Sequence, residues 1–174
     1  MSNLRLINET EITSSVSSVD ITDVFSADFD IYKITSETVA NTTPLATRLR
    51  YINSSGSVVS ASDYDYARLV LYTYSAFGEG RQTNQDHHAV FFGNCGVAPE
   101  GTSAVAYIFN PHSSSSYTFA INQLMTVSNS QESPVKYISA LTQTTSVTGF
   151  RAYTSTDSFG TGTIFRTYGL RVDS

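Results

Sequence analysis

Apolar and polar positions alternate along most of this chain, and no stretch carries apolar residues at the i, i+3, i+4, i+7 spacing of an amphipathic helix over three turns. A period of two belongs to the β-strand, whose successive side chains point to opposite faces. The segment SYTFAINQLMTVS shows it best: Tyr117, Phe119, Ile121, Met125 and Val127 share one face, Thr118, Asn122 and Thr126 the other. This predicts a long, half-buried antiparallel strand whose apolar face lies on the core. In FDIYKI, Phe29 and Ile31 alternate with Asp30, while Tyr32 and Ile34 make the second face apolar as well. ITDVF behaves alike through Ile21 and Phe25, so both faces of these segments are expected to meet protein. Further strands are predicted at residues 4–8, 46–52, 67–77, 88–92, 103–109, 135–141, 148–154 and 163–172.

The punctuation between them has turn chemistry: SSGS at 54–57, FGEG at 77–80, FGNCG at 92–96, PEG at 99–101, NPHSSSS at 110–116 and FGTGT at 159–163. Glycine supplies positive φ, proline fixes φ, and Asn or Ser bonds its own backbone, so the chain can reverse at each. Strands without intervening helices exclude a parallel βαβ layout. The expected fold is therefore all-β, an antiparallel two-sheet β-sandwich of jelly-roll type. With no repeat of fixed period and no linker, residues 1–174 read as a single domain.

Composition changes the picture at the surface. Charged residues make up only 14% of the chain, while Ser and Thr supply 48 of the 174 residues, so hydroxyls replace charge on the solvent side of strands. Eleven Tyr, ten Phe and a net charge of only -5 are the opposite of a disordered composition. The ten Lys and Arg are scattered singly, which argues against nucleic acid as a partner. MSNLRLINET has no apolar segment of signal-peptide length and no window approaches the ~20 apolar residues of a membrane helix, so neither a cleaved leader nor membrane insertion is expected.

Candidate chemistry is sparse. Cys95 stands alone, which excludes an intrachain disulfide and any CxxC motif, and its ordinary role is that of a small buried apolar residue. Sequons at Asn8, Asn41 and Asn53 are what chance provides in so hydroxyl-rich a chain. Asp86, His87 and His88 invite a metal reading with His112 or Cys95, but adjacent residues on a strand face opposite ways, so no metal is assigned. Asp20, Asp23, Asp28 and Asp30, and the pair Asp63 and Asp65, resemble the carboxylate groupings of calcium sites or glycosidases. No D-x-D-x-D-G loop accompanies them and the chain has no Trp, so a solvated face is preferred, with a structural cation as the rival. Ser is abundant, yet no G-x-S-x-G elbow is present. No catalytic or cofactor-binding residue is assigned, and the chain is read as a binding module and not an enzyme. The contact surface is placed on tyrosines and arginines, types enriched at interface hot spots: Tyr64, Tyr66, Tyr72, Tyr74, Arg81, Arg151, Tyr153, Arg166 and Tyr168.

The closing stretch VTGFRAYTSTDSFGTGTIFRTYGLRVDS resembles the last hairpin of small β-sandwich virion proteins of tailed bacteriophages, of fibre, spike or head-decoration type and marine-phage-like. Gly149, Arg151, Tyr153, Gly162, Thr163, Ile164, Tyr168, Gly169, Leu170 and Arg171 carry the likeness, and SASDYDYA followed by GEGRQTNQD extends it loosely to the middle of the chain. The resemblance implies a virion structural protein, assembled in the host cytoplasm and placed on the virion surface. Its implied partners are further copies of itself, as a homo-oligomer that is trimeric on a fibre, other virion proteins, and host-surface glycan. No catalytic residue is implied. The rival functions are a monomeric carbohydrate-binding module, suggested by the Tyr, Asn and Asp of the loops, and a glycan hydrolase using the Asp groups.

Overall fold

A computed structural model describes residues 3–171, and within them run twelve strands. They are β1 (Leu4–Glu11), β2 (Ser18–Ile21), β3 (Ile31–Thr38), β4 (Leu45–Asn53), β5 (Tyr64–Val70) and β6 (Gly78–Gln85). There follow β7 (His88–Cys95), β8 (Gly101–Phe109), β9 (Thr118–Ser128), β10 (Gln131–Leu141), β11 (Val147–Thr154) and β12 (Ile164–Leu170). The strands form an eight-stranded sheet of order β1-β12-β3-β8-β9-β10-β5-β6 and a four-stranded sheet of order β2-β11-β4-β7. All strand pairings are antiparallel, so the chain is an all-β protein of two antiparallel sheets, consistent with a β-sandwich.

The turns follow from their residues. Between β9 and β10, Asn129 and Ser130 both take positive φ (53° and 59°), the backbone of a two-residue hairpin loop. The Glu100 carboxylate accepts both of their N–H groups, at 2.9 and 2.6 Å. After β4, the side-chain oxygen of Asn53 accepts the N–H groups of Ser55 and Ser57, and Gly56 supplies φ of 79°.

The principal core lies between the sheets. Tyr32, Ile34, Ile108, Tyr137 and Phe165 from the larger sheet meet Leu49, Tyr51, Phe91, Phe92 and Phe150 from the smaller. Their rings pack edge-on, as in Phe92 against Phe165 at 5.1 Å and Phe91 against Tyr137 at 5.8 Å.

One distortion governs this interface. Along β4 and β7 the register passes from Ala46↔Asn94 to Arg48↔Ala89, so Thr47 stands opposite four residues, 90–93. Val90 takes φ of 59°, a strained value for a β-branched residue, and Gly93 takes φ of 97° with no room for a Cβ beside Thr102. The bulge drives both Phe91 and Phe92 into the core and takes their backbone out of the ladder. Side chains replace the lost bonds: Thr47 Oγ1 accepts from Phe92 N (3.0 Å) and donates to Gly93 O (2.9 Å). From the facing sheet, Asn122 Nδ2 donates to Phe91 O at 2.7 Å, and Thr126 Oγ1 donates to Asn94 O while accepting from Thr102 at 2.8 Å.

This bulge inverts the expected burial of β9. Thr118, Ala120, Asn122, Leu124 and Thr126 are buried, whereas Tyr117, Phe119, Ile121 and Met125 face solvent. Buried backbone carbonyls must be paired, and Asn122 and Thr126 are the residues of β9 whose side chains reach those of Phe91 and Asn94. Other expectations also shift. The strand expected over 67–77 ends at Val70, and GEGRQTNQ, read as turn and loop, is β6. FGNCG lies at the end of β7, not in a turn between strands. ITDVF is strand only at Ile21; Asp23 then takes φ of 56°, and Val24 and Phe25 enter the core from a loop. The strand expected over 163–172 is seen as β12, and residue 172 lies outside the described residues.

Candidate interaction surface

The outer face of the eight-stranded sheet is built from cross-strand rows fixed by the register. One row runs Leu6, Tyr168, Lys33, Tyr107, Ile121, Ile138, Ala67, Arg81 across all eight strands. The next runs Leu4, Leu170, Ile31, Phe109, Phe119, Ala140, Asp65. Directly opposed side chains stand about 5 Å apart, so each row is continuous. Leu4, Leu6, Tyr107, Phe119, Ile121 and Ile138 are exposed, Ile138 to 58%, and the remaining apolar members are half-buried between them. Of the fifteen positions in the two rows only Lys33, Arg81 and Asp65 are charged, whereas the row through Glu9, Arg166, Lys136 and Glu79 carries four charges. An apolar band therefore crosses the sheet beside an ionic one.

The outer face of the four-stranded sheet is of the other kind. Arg151 grips Asp20 with two hydrogen bonds of 2.6 Å. Arg50 donates through Nε to Asp86 O (2.9 Å) and through Nη2 to the Asp86 carboxylate, which also holds His87 Nδ1. The hydrogen bond from His87, aided by the Arg50 charge, keeps the Asp86 carboxyl below the usual range. The Arg50 guanidinium lies 5.1 Å over the ring of Tyr153. Arg50, Arg151, Asp20 and Asp86 are thus matched within the chain.

The nine residues singled out from the sequence fall into several places. Arg81, Arg166 and Tyr168 lie on the outer face of the large sheet; Arg166 holds Glu9 at 2.6 Å and Tyr168 lies 5.9 Å beneath Lys33 Nζ. Arg151 and Tyr153 are on the opposite face of the molecule, in β11. Tyr66 packs inward on Tyr137 at 5.2 Å, and Tyr72 and Tyr74 stand 5.3 Å apart in the loop after β5. Tyr64 is corrected outright: it is fully buried, its hydroxyl donating to Val59 O and accepting from Tyr51 N, so it belongs to the core and offers nothing to a partner.

The titratable residues are equally dispersed. His87 sits in the ionic face, while His88 is buried among Tyr51, Tyr64, Phe91 and Tyr137, where burial pushes its imidazole down to about 3. Burial pushes the Cys95 thiol up to about 11, in a small cluster with Ala40 and Leu45. Asp20 is held by Arg151, Asp28 accepts from Ser26, and Asp65 accepts the N–H of Asn84. Among the described residues no three His, Cys, Asp or Glu side chains gather in a metal-binding arrangement.

Sequence reasoning placed Phe119, Ile121 and Met125 in the core, and it did not single out Ile138, Leu69, Leu4 and Leu6. The available signal was that the other side of β9, with Thr, Ala, Asn and Leu, is also a plausible buried surface, so the strand had two candidate inner faces. The geometry defines a sandwich with one ion-paired outer face and one apolar outer face. No protein-family model matches the chain, and no curated protein matches it in sequence.

Proposed function

We propose that the chain is a structural component of a virion surface, of fibre, spike or capsid-decoration type, that works by packing the outer face of its eight-stranded sheet against further copies of itself within the assembled particle. The observation that carries this is the inverted β9, which buries Asn122 and Thr126 and leaves Phe119, Ile121 and Met125 in solvent. A lone exposed apolar residue needs no explanation, but contiguous rows of them mark a covered surface. Eight strands at ~4.8 Å and two rows of side chains at ~6.6 Å along each give an apolar band on the order of 500 Å² in projection, and the ionic row beside it extends the face. A standard interface buries about 800 Å² per partner. A face whose two apolar rows carry three charges also meets little like-charge opposition when it packs on a copy of itself. The resemblance of the closing hairpin to phage virion proteins supports the virion setting.

Light scattering over about 1 µM to 0.5 mM tests the assembly, with Kd expected inside that window. A monomer at every concentration would remove the self-association reading. The virion setting is tested by the neighbouring genes: capsid, portal or tail genes are expected beside this one, and a metabolic operon would overturn it.

A further inference from the structure

The apolar face is not flat. Where β9, β10, β5 and β6 adjoin, it sinks into an open hollow of about 820 Å³. The floor is made by Ala67 and Ala140, whose side chains stop at Cβ, and one wall by Phe119, Ile121 and Ile138. Arg81 stands on the far rim, on β6. The volume lies within the range of ligand sites, and the lining is largely apolar with two charged groups, Arg81 and Asp65, the latter already accepting the N–H of Asn84.

At the other end of β6 the chain offers a matching shape. The loop between β5 and β6 presents Phe77 at 72% exposure, the most exposed large apolar side chain among the described residues, with Tyr74 half exposed beside it. Glu79 follows two residues after Phe77 on the outer side of β6. Among the described residues neither Glu79 nor Arg81 makes an ion pair. At ~3.3 Å per strand residue, Phe77 lies roughly 13 Å or more along β6 from the rim at Arg81, so it does not enter its own hollow.

We infer that the hollow receives Phe77 of a second copy of this chain, with Glu79 of that copy meeting Arg81 on the rim. This rests on the assembly reading above and names its contact. An aromatic knob in an apolar cup, with one charge pair at the edge, is the usual make-up of an interface hot spot. Knob and cup are different surfaces, so the contact closes either by reciprocal exchange between two copies or around a ring.

Sedimentation velocity on the full chain tests it. Phe77→Asp is expected to raise the self-association Kd about 100-fold, and Glu79→Arg or Arg81→Glu about 10-fold each. The double variant carrying both charge changes is expected to return to within a few-fold of wild type, because the exchanged charges again face each other with opposite sign across the contact. All three positions are exposed, so unchanged circular dichroism and Tm are expected throughout. If Phe77→Asp associates like wild type while Ile138→Asp does not, the knob is wrong and the apolar face stands. If the double variant is as weak as the single ones, the charge pair is wrong and with it the docking pose. A wild-type chain that stays monomeric overturns both readings.

Discussion

The two outer faces of this sandwich solve the problem of solvent exposure in opposite ways. On the four-stranded sheet, Asp20, Arg151, Arg50, Asp86 and His87 satisfy one another, and Tyr153 is covered by a guanidinium. On the eight-stranded sheet, Phe119, Ile121 and Ile138 stand in water with no such partners. The first face pairs these charges within one chain; the second leaves an apolar band open, the surface that the proposed assembly would cover. The layer between them explains the asymmetry, because the bulge of β7 demands donors from β9 and so turns the apolar side of that strand outward.

The largest expected effect tests that middle layer. His88 titrates near 3 in the folded chain against 6.5 as a free side chain, so the unfolded state binds the extra proton between those values. The contribution is therefore fully present above pH 6.5 and is lost progressively as pH falls towards 3, by up to about 5 kcal/mol. Urea denaturation at pH 7.5 and pH 4 reads it, and His88→Phe is expected to flatten the acid slope; an unchanged slope would show that another group controls it.

The next effect breaks the comparison between faces directly. Replacing Ile121 and Ile138 together by Asp is expected to weaken self-association at least about 100-fold, near 2.7 kcal/mol, with little change in Tm. Replacing Arg50 and Arg151 by Gln is expected to leave association intact. Raising NaCl from about 0.1 to about 1 M should raise the Kd by no more than about 10-fold, since salt screens an exposed charge pair but does not weaken apolar burial. Dissociation by the arginine changes would assign the contact to the ionic face instead.

A third experiment compares the two sides of one strand. Asn122→Leu removes the donor to Phe91 O and is expected to cost about 1–3 kcal/mol, the penalty of an orphaned buried carbonyl. Ile121→Ala, one residue earlier but outward, is expected to stay within about 0.5 kcal/mol for the dissociated chain. Equal losses would mean that both sides of β9 are packed. The smallest effect belongs to the ionic face: Asp20→Asn breaks the double hydrogen bond to Arg151, and the expected cost is at most about 1 kcal/mol, smaller still in high salt.

Much of the fold was legible in the alternation. The segments around β4, β8, β10 and β11 lie where the period of two places them, because that period reports a local property of the backbone. The strand β6 was not legible: GEGRQTNQ has no apolar alternation and is a strand because β5 pairs with it along one edge. The contact residues chosen from the sequence were selected by type, and type does not report position. Tyr64 and Arg81 are both frequent interface residues, yet one is in the core and the other on a rim.

The sequence by itself determined which residues of each strand travel together. Phe119, Ile121 and Met125 share a face of β9 in any β-structure, and Asn122 and Thr126 share the other, because successive side chains alternate. Which of those two faces turns inward was decided only by the tertiary structure. The deciding contact spans 31 residues, from Asn122 to the carbonyl of Phe91 in a bulge on the opposite sheet. Turning Asn122 and Thr126 inward gives donors to the carbonyls of Phe91 and Asn94, each of which would cost about 1–3 kcal/mol if buried unpaired, and that pairing exists only once the two sheets have met.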